Sequence, residues 1–252
     1  MPDDPHIYTS LDLRIMKHPG LYSPEAIAQA IVQHCRTTNR RLVFISGNGG
    51  SGKTELSKAI AKEAEKYGRA NVLNMDDFVV DTNLRSSATA SWNDPEKGPQ
   101  TGRYTTAFAE SYFLQSVKAV LYSLERGNDY YHWPKKAQAG TECRLLFADA
   151  ILTIVEGTGT VFLERDASRS ISIFVQCSPE IEVARRIQRA RFSNEQGEAD
   201  VRKNFAERNS QYRAMIEPHK EEFGFVLESI EDYSLRVLRD DYQILSRKRD
   251  YR

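Results

Sequence analysis

Apolar and polar positions along the chain fall into blocks that alternate between strand-like and helix-like patterns. Residues 41–46 carry Leu42, Val43, Phe44 and Ile45 in succession and end at a glycine, the pattern of a strand buried on both faces. Beyond the glycines, Leu56, Ile60, Ala64 and Tyr67 keep helical spacing until Gly68 closes the segment. Upstream, Ser23-Pro24-Glu25 has the form of a helix start, and Ile27, Ile31 and Cys35 recur on one face behind it. Further strands are predicted at 71–75, 150–155, 171–176 and 223–227, with helices at 108–124 and 181–192. Strands that alternate with long helices imply an α/β fold, a parallel sheet covered on both faces in three layers.

The same pattern gives an organisation. One domain is expected, with an N-terminal helical extension over 1–40, a core over 41–228 and a C-terminal helix over 229–252. The tail supports that helix through Leu235, Leu238, Tyr242 and Leu245 among charged residues. Residues 80–103 are rich in Thr, Ser, Asn, Gly and Pro, show no clear period and are too long for a plain connector, so they read as a binding loop.

Composition narrows the function classes. With 40% hydrophobic and 28% charged residues over 252 positions the chain has an ordinary globular balance, and its longest apolar run is far too short to cross a bilayer. The start, MPDDPHIYTS, lacks the basic and apolar regions of a secretory signal, so a cytoplasmic protein is expected. Thirty-five basic residues balance 35 acidic ones, which gives no global field to draw nucleic acid or an anionic membrane. Cys35, Cys143 and Cys177 lie far apart with no histidine at ligand spacing, so neither a zinc site nor a disulfide framework is supported. Any anion must be held locally, and self-association is left open.

The local holder is Gly47-Asn48-Gly49-Gly50-Ser51-Gly52-Lys53-Thr54, which satisfies G-x-x-x-x-G-K-[ST] between a predicted strand and a predicted helix. Missing side chains let backbone N–H groups curl around phosphate at the positive end of the helix. Lys53 would neutralise the β- and γ-phosphates and the Thr54 hydroxyl would reach Mg²⁺. The loop alone does not separate motors, switches and kinases. An N-K-x-D guanine-reading tetrad and an L-S-G-G-Q-like transporter signature are both absent from the sequence. Asp76 and Asp77 close the 71–75 strand, where an open parallel sheet binds its ligands. An acid there suits phosphoryl transfer to an alcohol, which needs a carboxylate to orient the hydroxyl and take its proton. One acid, Asp76, would be that base; Asp77 would meet substrate or metal, or simply start the next turn.

These residues resemble the family of uridine kinase, phosphoribulokinase and pantothenate kinase, and most closely uridine kinase. Ser51-Gly52-Lys53-Thr54 matches the end of the family glycine loop, and Asp76-Asp77-Phe78 matches D-x-F-Y with Val79 in place of the tyrosine. Ser91-Trp92-Asn93-Asp94-Pro95-Glu96 is similar to an F-D-H-P-D segment that binds sugar hydroxyls, with Asn93 where the family has its acid and Asp94 one position on. Tyr131-His132-Trp133 is similar to the Y-D-F of the nucleoside pocket, and Ile154-Val155-Glu156-Gly157 to the strand whose Glu lies near the metal. The run Arg185, Arg186, Arg189 and Arg191 resembles the family's arginine-rich lid, placed near 185–212, with Arg189 on the ATP phosphates and Arg191 standing in for a second lid arginine.

The resemblance implies a P-loop kinase fold with a helical lid, using Mg·ATP to phosphorylate a hydroxyl of a small acceptor. The nearest acceptor is a nucleoside such as uridine or cytidine; the alternatives are another hydroxylated metabolite, such as a sugar, a pantothenate-like compound or a sugar nucleotide, or an ATP-binding regulatory module without catalysis. It implies catalytic roles for Asp76, Lys53 and Arg189, and metal placement by Thr54 and Glu156. Trp92 and Trp133 could stack on a base or pack in the core, and Lys136, beside Lys135, could meet an anionic substrate group or only solvent.

Overall fold

The computed structural model describes residues 20–135, 143–193 and 197–245. Its strands, in chain order, are β1 (Leu21–Tyr22), β2 (Leu42–Gly47), β3 (Ala70–Asn74), β4 (Thr89–Asp94), β5 (Gly98–Arg103), β6 (Tyr130–His132), β7 (Arg144–Leu146), β8 (Leu152–Glu156), β9 (Ser170–Gln176), β10 (Phe225–Ser229) and β11 (Leu235–Asp240). Its helices are α1 (Pro24–Thr38), α2 (Lys53–Ala64), α3 (Thr82–Ser87), α4 (Leu114–Glu125), α5 (Pro179–Ser193) and α6 (Glu198–Met215).

Seven strands form one sheet in the order β1-β11-β10-β9-β2-β8-β3. From β10 to β3 every pairing is parallel, while β11 runs antiparallel to both β10 and β1. Strand β2 is central. Its Val43, Phe44 and Ile45 are at most 2% exposed, and burying each such side chain contributes about 2 kcal/mol. Helices α1 and α2 cover one face, packing Ile27, Ile31, Leu56 and Ile60 against Ile45 and Ile173. Helix α4 covers the other through Val117, Val120 and Leu124, which meet Phe44, Leu73 and Val155. Parallel strands buried on both faces place all their carboxyl ends along one edge, and the site lies there.

Helix α1 begins as its sequence asks: Ser23 Oγ accepts from the Ala26 N–H at 3.2 Å, Pro24 occupies the first turn, and Asn39 ends the helix at φ +54°. The capping bond contributes about 1 kcal/mol. Helix α1 supplies Ile27 and Ile31 to the main core, and residues 1–19 lie outside the described residues.

Three expectations change. The tail is a strand and not a helix: β11 pairs with β10, Leu235 is buried and Val237 partly so, while Arg236 and Leu238 point outward. The pairing of Leu21 and Tyr22 with this strand fixes it further, and residues 246–252 lie outside the described part. Residues 80–103 hold α3 and the β4–β5 hairpin in place of an irregular loop. The 108–124 helix starts only at Leu114, after a short turn at Ala109–Ser111.

Candidate active site

The turn between β2 and α2 needs glycine where its backbone is left-handed or closely approached. At Gly47, φ is +138° and a Cβ would stand 1.8 Å from the Val175 carbonyl oxygen of β9. Gly52 holds φ +90° at the N-cap of α2, where no side chain caps the helix, so the first amides remain for an anion. Asn48 does not face the cleft; it is buried and fastens the loop to the end of β9. Its Nδ2 donates to the Cys177 carbonyl at 3.1 Å and to Glu182 at 2.7 Å, and its Oδ1 accepts from the Cys177 N–H at 3.0 Å. Ser51 Oγ is fully buried without a hydrogen-bond partner among the described residues, an unspent donor inside the loop.

Lys53 is buried and donates to the carbonyls of Gly47 and Asn48 at 3.1 and 2.6 Å. Burial pushes its ammonium pKa down, while the carboxylates of Glu156, Glu182 and Asp76 oppose that shift. Thr54 Oγ1 donates to Glu156 Oε1 at 3.3 Å across the β2–β8 boundary. Burial raises the Glu156 carboxyl above its ordinary value, with Lys53 pulling it back down. Gly157 follows at φ +139°, where a Cβ would lie 2.6 Å from Met75 Cβ, so the glycine lets β8 and the Asp76 turn approach.

Asp76 stands in the short 3₁₀ turn Met75–Phe78 that closes β3. Asn74 Oδ1 accepts its backbone N–H at 2.8 Å and shapes that turn. The Asp76 carboxylate is exposed and accepts no hydrogen bond from any described residue. It opens into a cleft of about 1080 Å³ shared with Lys53, Thr54, Glu156 and the loop glycines 49, 50 and 52. A second cavity of about 570 Å³, bounded by Phe162, Arg165, Glu222 and Tyr242, contains none of these groups.

Helix α5 divides its arginines. Arg185 is buried, donates to the Gly50 carbonyl at 2.7 Å, to Ser229 Oγ at 3.1 Å and to the Ile230 carbonyl, and stacks on Tyr233 at 3.8 Å. Arg186 pairs with Glu182 at 2.6 Å and lies over Gly49, where a Cβ would come within 1.9 Å of it. Arg189 lines the cleft. Arg191 does not: it is exposed, outside the cleft, and pairs with Glu198 at 3.2 Å.

Most of the expected acceptor contacts are elsewhere. Asp77 is a brace, accepting from His132 Nε2 and from the Lys135 N–H, both at 3.0 Å, while His132 stacks on Phe78. Trp92 packs with Phe108 in a third core cluster, and its Nε1 donates to Ser210 Oγ at 2.8 Å. Asp94 is buried on the same strand face; Ser210 donates to it at 2.5 Å and Arg213 at 3.2 Å, so it holds the hairpin to α6. Those donors, Ser210 first, keep the Asp94 carboxyl well below the usual carboxylate range. Asn93 faces solvent on the opposite side of β4, and Tyr131 and Trp133 are 71% and 66% exposed, with none of the three in the cleft. Lys136 lies outside the described residues.

In their place the cleft is lined by Thr82 and Arg85 of α3, Thr106, Lys135 and Arg208 of α6. None of these was singled out by motif except Lys135, and only the clustering of Thr and Arg after Asp76 signals them. Glu182 was also missed, although its spacing of four from Arg186 on one helix is a legible pair.

The site thus offers a phosphate cradle, a buried lysine, a hydroxyl and carboxylate pair of hard oxygens, and an unengaged carboxylate in one cleft. No curated protein is significantly similar to the chain in sequence. Among solved structures, D-glycerate 3-kinase from Cryptococcus neoformans var. grubii shares the fold at a TM-score of 0.58 and 11% identity, over 85% of this chain and 98% of that one. Phosphoribulokinase from Rhodobacter spheroides shares it at a TM-score of 0.52 and 15% identity, over 76% of this chain and 70% of that one. The model of the phosphoribulokinase / uridine kinase family matches residues 42–235, from β2 into β11, and the chain therefore belongs to that family of P-loop kinases.

Proposed function

We propose that the protein transfers the γ-phosphoryl group of ATP to a hydroxyl of a small metabolite, with Asp76 as the base. The observation that carries this reading is the free carboxylate of Asp76 in the same cleft as Lys53 and the glycine loop. The acceptor oxygen attacks the γ-phosphorus, its proton passes to Asp76, and the bond from the γ-phosphorus to the β,γ-bridging oxygen breaks to release ADP. Lys53 has only carbonyl partners to give up when it turns to the phosphates, and Arg189 adds charge from the lid as negative charge spreads over the transferred group.

Thr54 and Glu156 are oxygen donors that would hold Mg²⁺, and that ion, when bound with ATP, would supply positive charge against the phosphates. Glu182 and Arg185 of α5 hydrogen-bond to the loop and hold it in shape.

The resemblance to uridine kinase gives the nucleoside reading of the acceptor, and of the residues assigned to that acceptor Asp77, Trp92, Asn93, Asp94, Tyr131 and Trp133 do not line the cleft, while Lys136 lies outside the described residues. A different hydroxylated metabolite therefore ranks ahead of uridine and cytidine. The fold does not choose between them, since a glycerate kinase and a phosphoribulokinase share it. The test is ADP release from Mg·ATP with and without a panel of sugars, hydroxy acids, sugar phosphates, pantothenate and nucleosides, beside Asp76→Asn. Stimulation by one acceptor class that the variant lacks supports the kinase; slow release indifferent to every acceptor and to the variant would leave an ATP-binding regulatory module.

A further inference from the structure

The glycine loop follows β2, in the interior of the sheet, and the order β1-β11-β10-β9-β2-β8-β3 sets what lies on either side of it. Asp76 follows β3, two strands away on one side. In the kinase reading the γ-phosphate lies between Lys53 and Asp76, so the nucleoside of the donor points away from Asp76, toward β10 and β11. On that side the cleft is lined by Pro24 and Glu25 at the start of α1 and by Tyr233 in the turn from β10 to β11. The family model begins at residue 42, so Pro24 and Glu25 lie outside the part of the chain matched to it.

Tyr233 is held rigidly against the loop. Its φ of +66° is a left-handed backbone that a bulky side chain rarely adopts, and such strain is kept where a side chain has to be aimed. The turn is closed by the Tyr233 N–H on the Ile230 carbonyl and the Ile230 N–H on the Ser234 carbonyl, both at 3.0 Å. The ring reaches Gly52, and the Arg185 guanidinium lies over one of its faces, 3.8 Å from the centroid. Arg185 is itself buried and fixed by Gly50, Ser229 and Ile230, so the ring has a firm backing. The ring nevertheless remains 40% exposed, and among the described residues that line the cleft it is the one aromatic side chain. An aromatic ring backed by a fixed cation is a platform on which a flat base can stack.

Glu25 is exposed and makes no hydrogen bond or ion pair with any described residue, whereas Glu55 of the same lining is paired with Lys58 at 3.0 Å. An unengaged carboxylate repels phosphate and accepts O–H or N–H. A nucleoside carries both kinds of donor, in its ribose hydroxyls and in the exocyclic amino group of adenine. We propose that α1 and the β10–β11 turn form the seat of the donor's nucleoside, with the base stacked on the open side of Tyr233 and Glu25 accepting hydrogen bonds from the ribose hydroxyls or the exocyclic amino group. This inference rests on the kinase reading, since it assigns the far end of the same ATP.

Calorimetry on the full chain with Mg²⁺ compares ADP with pyrophosphate, which fills the loop without a nucleoside. Tyr233→Ala should weaken ADP by about tenfold or more, the scale of one base stacked on an aromatic ring, and Tyr233→Phe should restore it. Glu25→Ala should also weaken ADP by about tenfold, the scale of a hydrogen bond to a charged group, while pyrophosphate binds no less tightly than to the parent. The sign separates recognition from simple charge, because removing an acid that only repelled phosphate would tighten both anions. 2′-Deoxy-ADP, 3′-deoxy-ADP and IDP identify the group that Glu25 accepts: the analogue lacking it should bind the parent about tenfold less well than ADP, and Glu25→Ala should erase that difference. ADP affinity indifferent to Tyr233→Ala, ADP affinity unchanged or raised in Glu25→Ala, losses shared equally by pyrophosphate, or all three analogues binding the parent as ADP does would each overturn the proposal. Indifferent nucleotide affinities beside acceptor-stimulated turnover would keep the kinase and remove this seat, whereas nucleoside-specific losses without turnover of any acceptor would do the reverse.

Discussion

Glu182 accepts a hydrogen bond of 2.7 Å from Nδ2 of Asn48, and so ties helix α5 to the glycine loop. The same carboxylate holds Arg186 over Gly49. Removing it leaves one N–H of the buried Asn48 amide and the half-buried Arg186 guanidinium without their carboxylate. Glu182→Ala is expected to cost about 3 kcal/mol in denaturant unfolding and to weaken ATP binding, while Glu182→Gln, which keeps one acceptor, loses less of both. Equal effects from the two variants would show that the charge and not the loop geometry matters.

Adjacent acids should behave as opposites. Asp76→Asn should lower kcat by about a hundredfold to ten-thousandfold, the range of a lost general base, and leave the melting temperature near that of the parent. Asp77→Ala strands His132 Nε2 and the Lys135 N–H, and should cost about 1–3 kcal/mol of stability with a much smaller loss of kcat. Thermal melts and steady-state rates on both variants check the division.

Gly47→Ala is expected to destabilise the fold by about 3 kcal/mol or more, because its Cβ would collide with the backbone of β9 at a φ that L side chains avoid. Gly98→Ala, at φ +72° but with open space around it, should cost less. Denaturant midpoints rank the two.

Asp94 makes part of the stability depend on acid. Its folded carboxyl is held below the ordinary 3.8, chiefly by the Ser210 hydroxyl, so the unfolded chain takes up its proton first as pH falls. The stabilisation is complete above the unfolded value and is lost as pH drops from there through the folded one. Asp94→Asn should therefore be less stable than the parent at neutral pH, with the gap closing below about pH 4. Unfolding curves at several pH values give the comparison, and a constant gap would contradict the assignment.

The frame of this molecule was legible because its signals are local. A run such as Val43 to Ile45 followed by Gly47, and Asp76 at the end of the next strand, declare themselves within a few residues. The acceptor side was not, because its residues are sorted by partners far away in sequence. On β4 the burial alternates, so Trp92 and Asp94 turn to α6 and meet Ser210 while Asn93 turns to solvent. Similarly, Leu235, Leu238 and Tyr242 mimic a helical period, and only the antiparallel pairing with β10 reveals the strand. Arg85 and Arg208 lie 123 positions apart and belong to no motif.

The most direct measurement is the fate of a radiolabelled γ-phosphate when the protein is incubated with Mg·ATP and the acceptor panel. The label is expected on a phosphomonoester of one hydroxylated acceptor, and absent from it in Asp76→Asn. Label that appears only as inorganic phosphate, at the same slow rate with every acceptor and in the variant, would contradict phosphoryl transfer by this cleft.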